Sequence, residues 1–229
     1  MSQDPVFVRK AFSSIAKRYV VTNHVLSFGV DILWRRQVAS MVRDFGGQRV
    51  LDIACGSGDL AAEVIKKMPQ AEVVAADFCA PMLQQARLRG LPMLLVADGM
   101  QLPFEAGFFD SLTIGYGLRN MEAWDGALSE LSRVLKPGGQ LVVLDFSIPR
   151  GWLRGPYRFY LHRILPVLGG WLTGNREAYD YLSESIERFP SGDEMCDLMR
   201  NNGFDEAHCI PLWGGISSIY VGRASAPHT

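Results

Sequence analysis

From residue 49 onward the chain falls into short apolar runs, at residues 49–54, 72–77, 93–97, 109–116 and 140–146, each bounded by Gly, Pro or Asp. Runs of four to eight residues without polar alternation predict strands buried on both faces. Between them, residues 60–67, 81–89 and 123–135 predict helices, and strand–helix alternation predicts a parallel sheet with right-handed crossovers. The C-terminal part predicts two helices, 179–188 and 193–202, and then two late strands, 204–211 and 217–223. Residues 6–43 predict helix, with Phe12, Ile15, Ala16 and Tyr19 at helical spacing and a break near residues 27–29. The expectation is therefore an α/β fold. A mostly parallel seven-stranded sheet is flanked by helices, with N-terminal helices and a helical insertion before the last two strands. One domain, 1–229, divides into an N-terminal helical cap (1–47), a core (48–147), an insertion (148–190) and a C-terminal helix with strands (191–229).

Composition narrows the class without naming a function. With 48% hydrophobic and 21% charged residues, the chain has an ordinary globular composition. Its formal net charge of -1 supplies no long-range field for nucleic acid or an anionic membrane. The four cysteines, Cys55, Cys79, Cys196 and Cys209, show no C-x-x-C spacing and no companion His pair, so no metal site is expected. Residues 1–10 lack the apolar core of a signal peptide, and no run has membrane-spanning length, which predicts a cytoplasmic protein.

The chemistry concentrates after the first strand, in Asp52-Ile53-Ala54-Cys55-Gly56-Ser57-Gly58-Asp59-Leu60. Glycines admit positive φ and close ligand approach, and the helix starting near Asp59 directs free N–H groups over the loop. Asp77 closes the second strand, where an acid would meet ribose hydroxyls. Taken alone, this window fits a nicotinamide dinucleotide as well as adenosylmethionine. Three features separate them. Asp52 at the strand end would repel a pyrophosphate and tolerate an amino group; Asp98, closing the third strand, suits an exocyclic amine; and no Arg or Lys stands near the loop in sequence. An acidic rim of Asp52, Asp77 and Asp98 suits a ligand carrying a sulfonium and an ammonium, hence S-adenosyl-L-methionine.

Residues 50–58 resemble motif I of class I methyltransferases, and Leu102-Pro103-Phe104 and Arg133-Val134-Leu135-Lys136-Pro137-Gly138-Gly139 are similar to later motifs of that class. The order of Gly117-Leu118-Arg119-Asn120, Leu144-Asp145-Phe146-Ser147, Tyr179-Asp180-Tyr181-Leu182-Ser183-Glu184-Ser185-Ile186, Phe189-Pro190 and Gly214-Gly215-Ile216 is more specific. Together with Tyr19, Asn23, Ser27 and Gly29 it resembles the ubiquinone/menaquinone biosynthesis C-methyltransferase family over nearly the whole chain. The chain departs from the family pattern at Val20, at Asp31-Ile32 where His-Arg is usual, and at Ser57, Asp98 and Gly115. The N-terminal departures bear on which quinone is used more than on the reaction.

The resemblance implies a Rossmann-like class I methyltransferase fold and methylation of a ring carbon in a polyprenylated quinol: demethylmenaquinol, the equivalent ubiquinone-precursor benzoquinol, or both. Cofactor contacts are expected from Asp52, Ala54, Gly56, Ser57, Gly58, Asp77, Phe78, Asp98, Gly99 and Gly115. Arg119 and Asn120, just past a central strand, are the expected catalytic pair: Arg119 stabilises a phenolate or orients a water, and Asn120 fixes the hydroxyl. Substrate contacts are expected from Tyr19, Asn23, Tyr116 and Tyr181, with His24 and His162 as candidate proton acceptors. In the insertion, Arg154, Arg158 and His162 fall at four-residue spacing among aromatics, which reads either as a lid touching the membrane's inner face or as a solvated helix face. The expected partner is a polyprenyl quinol; nucleic acid is not expected, since Gly115-Tyr116-Gly117-Leu118 stands where an amino-methyltransferase would carry Asn/Asp-Pro-Pro-Tyr. Self-association as a homodimer stays open. The rival readings are a methyltransferase for another small molecule or lipid, a nicotinamide-dependent oxidoreductase, and a non-catalytic scaffold.

Overall fold

The computed structural model describes residues 29–174 and 176–226, with nothing said of the side chains at 172 and 173. Helix α1 (Val30–Phe45) is fixed by Val30, Trp34, Val38 and Val42, buried at four-residue spacing along one face, and ends at Gly46 with φ 86°. Strand β1 (Arg49–Ile53), helix α2 (Asp59–Lys67), β2 (Glu72–Asp77), α3 (Ala80–Leu88) and β3 (Leu94–Val96) form the first half. Strand β4 (Phe109–Gly115), α4 (Trp124–Val134) and β5 (Leu135–Phe146) form the second. The insertion contains α5 (Arg154–Phe159), a π-helical turn (Tyr160–Ile164), α6 (Leu165–Thr173) and α7 (Arg176–Arg188). Helix α8 (Asp193–Asn201), β6 (Phe204–Leu212) and β7 (Ser217–Ala224) complete the described chain.

The seven strands run in the order β3-β2-β1-β4-β5-β7-β6. All neighbours from β3 to β5 are parallel, and β7 pairs antiparallel with both β5 and β6. Each half needs its crossover helices to cover the sheet, so two apolar layers form. On one face α4 and α8 bury Leu128, Leu131, Met195 and Met199 against Leu51, Leu112 and Leu141. On the other, α1, α2 and α3 bury Val38, Val42, Leu60, Val64 and Leu83 against Val50, Val73 and Val142. The insertion has a smaller core of Leu161, Leu165, Tyr179 and Ile186, packed against Phe146 and Ile148.

Two sequence expectations change. The fifth strand begins at Leu135 rather than 140, because Leu135 pairs with Phe109 before the register shifts and regular pairing resumes at Ser111–Gln140. The third strand is only Leu94–Val96, at the sheet edge with Val96 60% exposed, so little apolar contact extends it. Of the expected N-terminal cap, residues 1–28 lie outside the described residues, and with them Tyr19, Asn23 and His24.

Candidate functional site

The strand order reverses between β1 and β4: from β1 the chain moves to β2 and β3 on one side, then returns to β4 and β5 on the other. Connections at such a point leave in opposite directions and open a crevice at the carboxyl ends of the strands. A cleft with about 1140 Å³ of empty space, its open mouth included, lies there. Its wall is built from the turns after β1 (Ala54–Ser57 region), β2 (Asp77, Phe78, Cys79), β3 (Asp98, Gly99) and β4 (Gly115, Tyr116, Gly117).

The backbone departs from ordinary geometry where the two inner strands end. Ala54 (φ 51°) and Tyr116 (φ 61°) hold left-handed conformations without being glycine, which costs energy and clusters at functional sites. Gly117 makes their close approach feasible, since a Cβ there would lie 2.4 Å from the Ala54 Cβ. The cradle thus requires glycine at 117 for space, not for φ.

Of the residues expected to hold a cofactor, Asp52, Ala54, Gly56, Ser57, Asp77, Phe78, Asp98, Gly99 and Gly115 line the cleft. Gly58 does not. At φ 79° it starts α2 and turns its α-carbon toward Leu91 and Ala86, so it shapes the loop from behind. Asp52 is fully buried; its Oδ1 accepts from Thr113 Oγ1 at 2.6 Å and its Oδ2 from the Ala61 N–H at 3.1 Å. Burial raises its pKa to about 7 against the opposing pull of these donors and of Arg35. Asp77 accepts the N–H groups of Gly56 and Cys79, both at 2.8 Å, and burial still holds it above the usual carboxylate range. Asp98 is exposed and accepts the Met100 N–H at 2.9 Å.

Sequence reasoning missed Arg35. It sits on α1, far from the loop in sequence, yet lines the cleft, ion-paired with Asp31 and with its guanidinium carbon 5.6 Å from the Tyr116 ring centre. Burial opposes its charge, but Asp59 and Asp31 carry its pKa above the ordinary value. The expectation that the loop has no nearby cation therefore holds along the chain and fails in space. The signal was present: Asp31 and Arg35 are an i,i+4 charged pair on the face of α1 that also carries Val30, Trp34 and Val38. Met82, Met100, Met121 and Glu122 also line the cleft without having been singled out.

The expected catalytic pair is split. Asn120 and Tyr116 line the cleft; Arg119 does not. Arg119 is 2% exposed, its Nη1 donating to Asp145 Oδ1 at 2.8 Å and also to the Tyr116 carbonyl. A guanidinium carries its donors at the end of a long stem, and here that end is spent on β5 behind the wall. Tyr181 is likewise outside the cleft, but its hydroxyl donates to Asn120 Oδ1 at 3.2 Å while Asn120 Nδ2 donates to the Tyr116 carbonyl at 3.3 Å. His162 lies at the surface beside Glu187, 3.3 Å away, and not in the cleft. Among the described residues no group of His, Cys, Asp and Glu could hold a metal ion.

The sequence profile of the ubiE/COQ5 methyltransferase family matches residues 1–224. The chain belongs to that family. A demethylmenaquinone methyltransferase of Thermus thermophilus is 45% identical over 92% of this chain and 98% of its own length. The ubiquinone/menaquinone biosynthesis C-methyltransferase UbiE of Geobacter sulfurreducens is 43% identical over 94% of this chain and 88% of its own. Among solved structures, a SAM-dependent methyltransferase of Thermotoga maritima, described as a possible histamine N-methyltransferase, superposes with a TM-score of 0.68. At 20% identity over 94% of this chain and 99% of the other, that likeness concerns the fold alone. As in the family, the protein is a methyltransferase built on a Rossmann-like sheet.

The residues present fit the family's methyl donor, S-adenosyl-L-methionine. The acids Asp77 and Asp98 stand at the ends of β2 and β3, suited to ribose hydroxyls and an exocyclic amine, and Asp52 stands at the end of β1. A Cβ on Gly99 would fall 2.9 Å from Met121 Cε and 3.1 Å from Ile53 Cγ2, so a larger residue there would push the Met121 side chain aside.

Proposed function

We propose that the protein C-methylates the ring of a polyprenylated quinol in quinone biosynthesis, with demethylmenaquinol as the first substrate to test. The carrying observation is the cleft at the β1–β4 switch point, with acids at the ends of β1, β2 and β3, in a chain of the ubiE/COQ5 family. The names of the Thermus and Geobacter relatives support the quinone class.

When bound, adenosylmethionine supplies an electrophilic methyl group to a ring carbon made electron-rich by loss of a neighbouring hydroxyl proton. Asp77 and Asp98 orient the adenosine end, and Asp52 with the Gly56–Ser57 turn holds the other end. Fixing two reactants in line is worth roughly 7–11 kcal/mol of barrier in well-oriented systems, and here the turns that follow β1, β2, β3 and β4 supply the contacts for it. Asn120, held by Tyr181 and the Tyr116 carbonyl, keeps a free Oδ1 lone pair for the quinol hydroxyl. Arg119 acts as a positioning residue: paired with Asp145, it anchors the turn that carries Tyr116 and Asn120.

The test is mass spectrometry after incubating the protein and adenosylmethionine with reduced demethylmenaquinone or a demethoxy-type ubiquinone precursor. Gain of one methylene on either identifies the substrate; no gain on both refutes the quinol assignment and leaves another small molecule or lipid as acceptor.

A polyprenyl tail also needs an apolar route. Among the described residues no helix is long and apolar enough to cross a membrane. The insertion instead exposes Trp152 (83%), Phe159 (61%), Val167 (54%) and Trp171 (84%), interspersed with exposed Arg154, Arg158 and Arg163. Basic-aromatic helical surfaces of this kind lie in the headgroup region of anionic bilayers, which supports peripheral contact at the inner face of the cytoplasmic membrane through this insertion. Arg158 shares Glu187 with His162, so Arg154 and Arg163 carry most of the unbalanced charge. Sedimentation with vesicles containing anionic lipid should retain the protein and lose the Arg154→Glu/Arg163→Glu variant. Equal sedimentation of both refutes membrane contact through this surface.

A further inference from the structure

The geometry points to Arg35 as the residue that recognises the carboxylate of the donor's amino-acid end, a role that rests on the adenosylmethionine reading above. Among the described residues lining the cleft, Arg35 is the one cation. Its surroundings are otherwise acidic, with Asp31, Asp52 and Asp59 all acting on it or on one another electrostatically.

The sheet order gives the placement. Asp98 follows β3, Asp77 ends β2, Asp52 ends β1 and Tyr116 follows β4, and these strands are neighbours in that order. A long ligand with its base over Asp98 and its ribose over Asp77 must put its far end over β1 and β4. Arg35 stands there, over the Tyr116 ring and within electrostatic reach of Asp59 at the start of α2. That far end of adenosylmethionine is a zwitterion, an ammonium beside a carboxylate. The cleft offers an acid, Asp52, and a guanidinium, Arg35, for the two charges.

A purely structural ion pair would not need this position. Arg35 and Asp31 could satisfy one another anywhere along α1, and a buried pair contributes little net stability by itself. Here Arg35 is only 9% exposed as a residue and yet lines the cleft. Asp31 engages Nη1, and a guanidinium has donors left for a second carboxylate. Asp59, which would compete for it, is also held by Ser57 Oγ at 2.7 Å and by Arg89, so it is already supplied with donors.

The test is calorimetric binding of S-adenosylhomocysteine and of its carboxyl methyl ester, which keeps the adenosine and the ammonium, to wild type and to Arg35→Gln. Wild type should bind the ester roughly 10- to 100-fold more weakly than the acid, the range of a charge-assisted hydrogen bond. In Arg35→Gln the acid should weaken by a similar factor, and the difference between acid and ester should vanish. Loss of affinity for both ligands alike in the variant, with the ester penalty intact, overturns the assignment and leaves Arg35 a residue that shapes the cleft. If Arg35→Gln fails to fold, the wild-type comparison still decides: equal affinity for acid and ester overturns the proposal, and Arg35→Lys should retain part of a real penalty. Failure of wild type to bind S-adenosylhomocysteine at all strikes the adenosyl reading itself and takes this assignment with it.

Discussion

Asp52 makes the stability of the ligand-free protein depend on pH. Its carboxyl is fully buried, with donors from Thr113 and the Ala61 N–H, and burial raises its pKa to about 7. In the unfolded chain it titrates near the model-peptide value of about 3.9. The folded state therefore binds a proton between these limits that the unfolded state does not. Stability from this group is complete below about pH 4 and is lost as pH rises through 7, by roughly 3 pH units times about 1.4 kcal/mol, on the order of 4 kcal/mol. Asp52→Asn keeps an acceptor for Ala61 and an amide for the Thr113 oxygen but removes the titration. Urea unfolding of both proteins without ligand should show the variant gaining on wild type by about that amount between pH 4 and pH 8. At about 2–4 °C per kcal/mol for a chain of this size, the relative Tm moves by about 8–16 °C. Using the difference between the two proteins cancels the shifted groups that do not act on Asp52, Asp145 raised and Asp59, Asp110 and Glu130 lowered; Asp77, whose charge acts on Asp52, is raised in both. A stability difference that stays flat with pH refutes the reasoning. The same group predicts that S-adenosylhomocysteine releases a proton on binding at pH 6, because its ammonium favours the ionised carboxyl; calorimetry in buffers of different ionisation enthalpy reads that proton, and Asp52→Asn should abolish it.

Three further substitutions test the walls of the cleft. Gly117→Ala places a Cβ 2.4 Å from the Ala54 Cβ and should cost about 1–3 kcal/mol in thermal or urea unfolding, with weaker S-adenosylhomocysteine binding; wild-type values on both refute the close-approach argument. Asp145→Asn leaves the Arg119 guanidinium buried without its carboxylate and should destabilise by about 3–5 kcal/mol, measured by urea unfolding. Tyr181→Phe removes the hydroxyl that holds Asn120 and should lower kcat about fivefold, the worth of one hydrogen bond, while Tm and S-adenosylhomocysteine affinity stay put. Unchanged kcat there would remove Tyr181 from the positioning of Asn120.

The parallel half of the sheet was readable because burial on both faces leaves unbroken apolar runs, as in Val50, Leu51 and Ile53 or in Val73–Ala76. The loop was readable because its glycines and strand-end acids are contiguous. What escaped depends on three dimensions. Lys136, Pro137, Gly138 and Gly139 look like a turn, and they enter β5 only because Leu135 reaches back to pair with Phe109. The spacing of Arg119 and Asn120 is the same whether their side chains share a side or not; only the docking of Asp145 from β5 shows that Arg119 turns inward while Asn120 faces the cleft. Arg35 enters the site through the packing of α1 across α2: the local pattern marks Asp31 and Arg35 as a charged pair on a buried face, but not what that face meets.

One aromatic pair ties these observations together. Tyr116, in a left-handed backbone at the end of β4, packs its ring against Phe146 at the end of β5, with ring centres 4.6 Å apart and planes tilted by 38°. Arg35 lies over the Tyr116 ring and Arg119 over the Phe146 ring, at 5.6 and 5.2 Å. Aromatic faces attract cations, and more so where water is excluded, so each arginine is held at a fixed height against the pair. Phe146 also packs into the small core of the insertion, while Tyr116 belongs to the layer under α1 and α2. The side of the cleft that suits the donor and the insertion that suits an apolar acceptor therefore meet on the same two rings. The left-handed backbone at Tyr116 is part of this arrangement: it turns the chain at the end of β4 where the ring lies beside Phe146, beneath Arg35 and in the cleft wall.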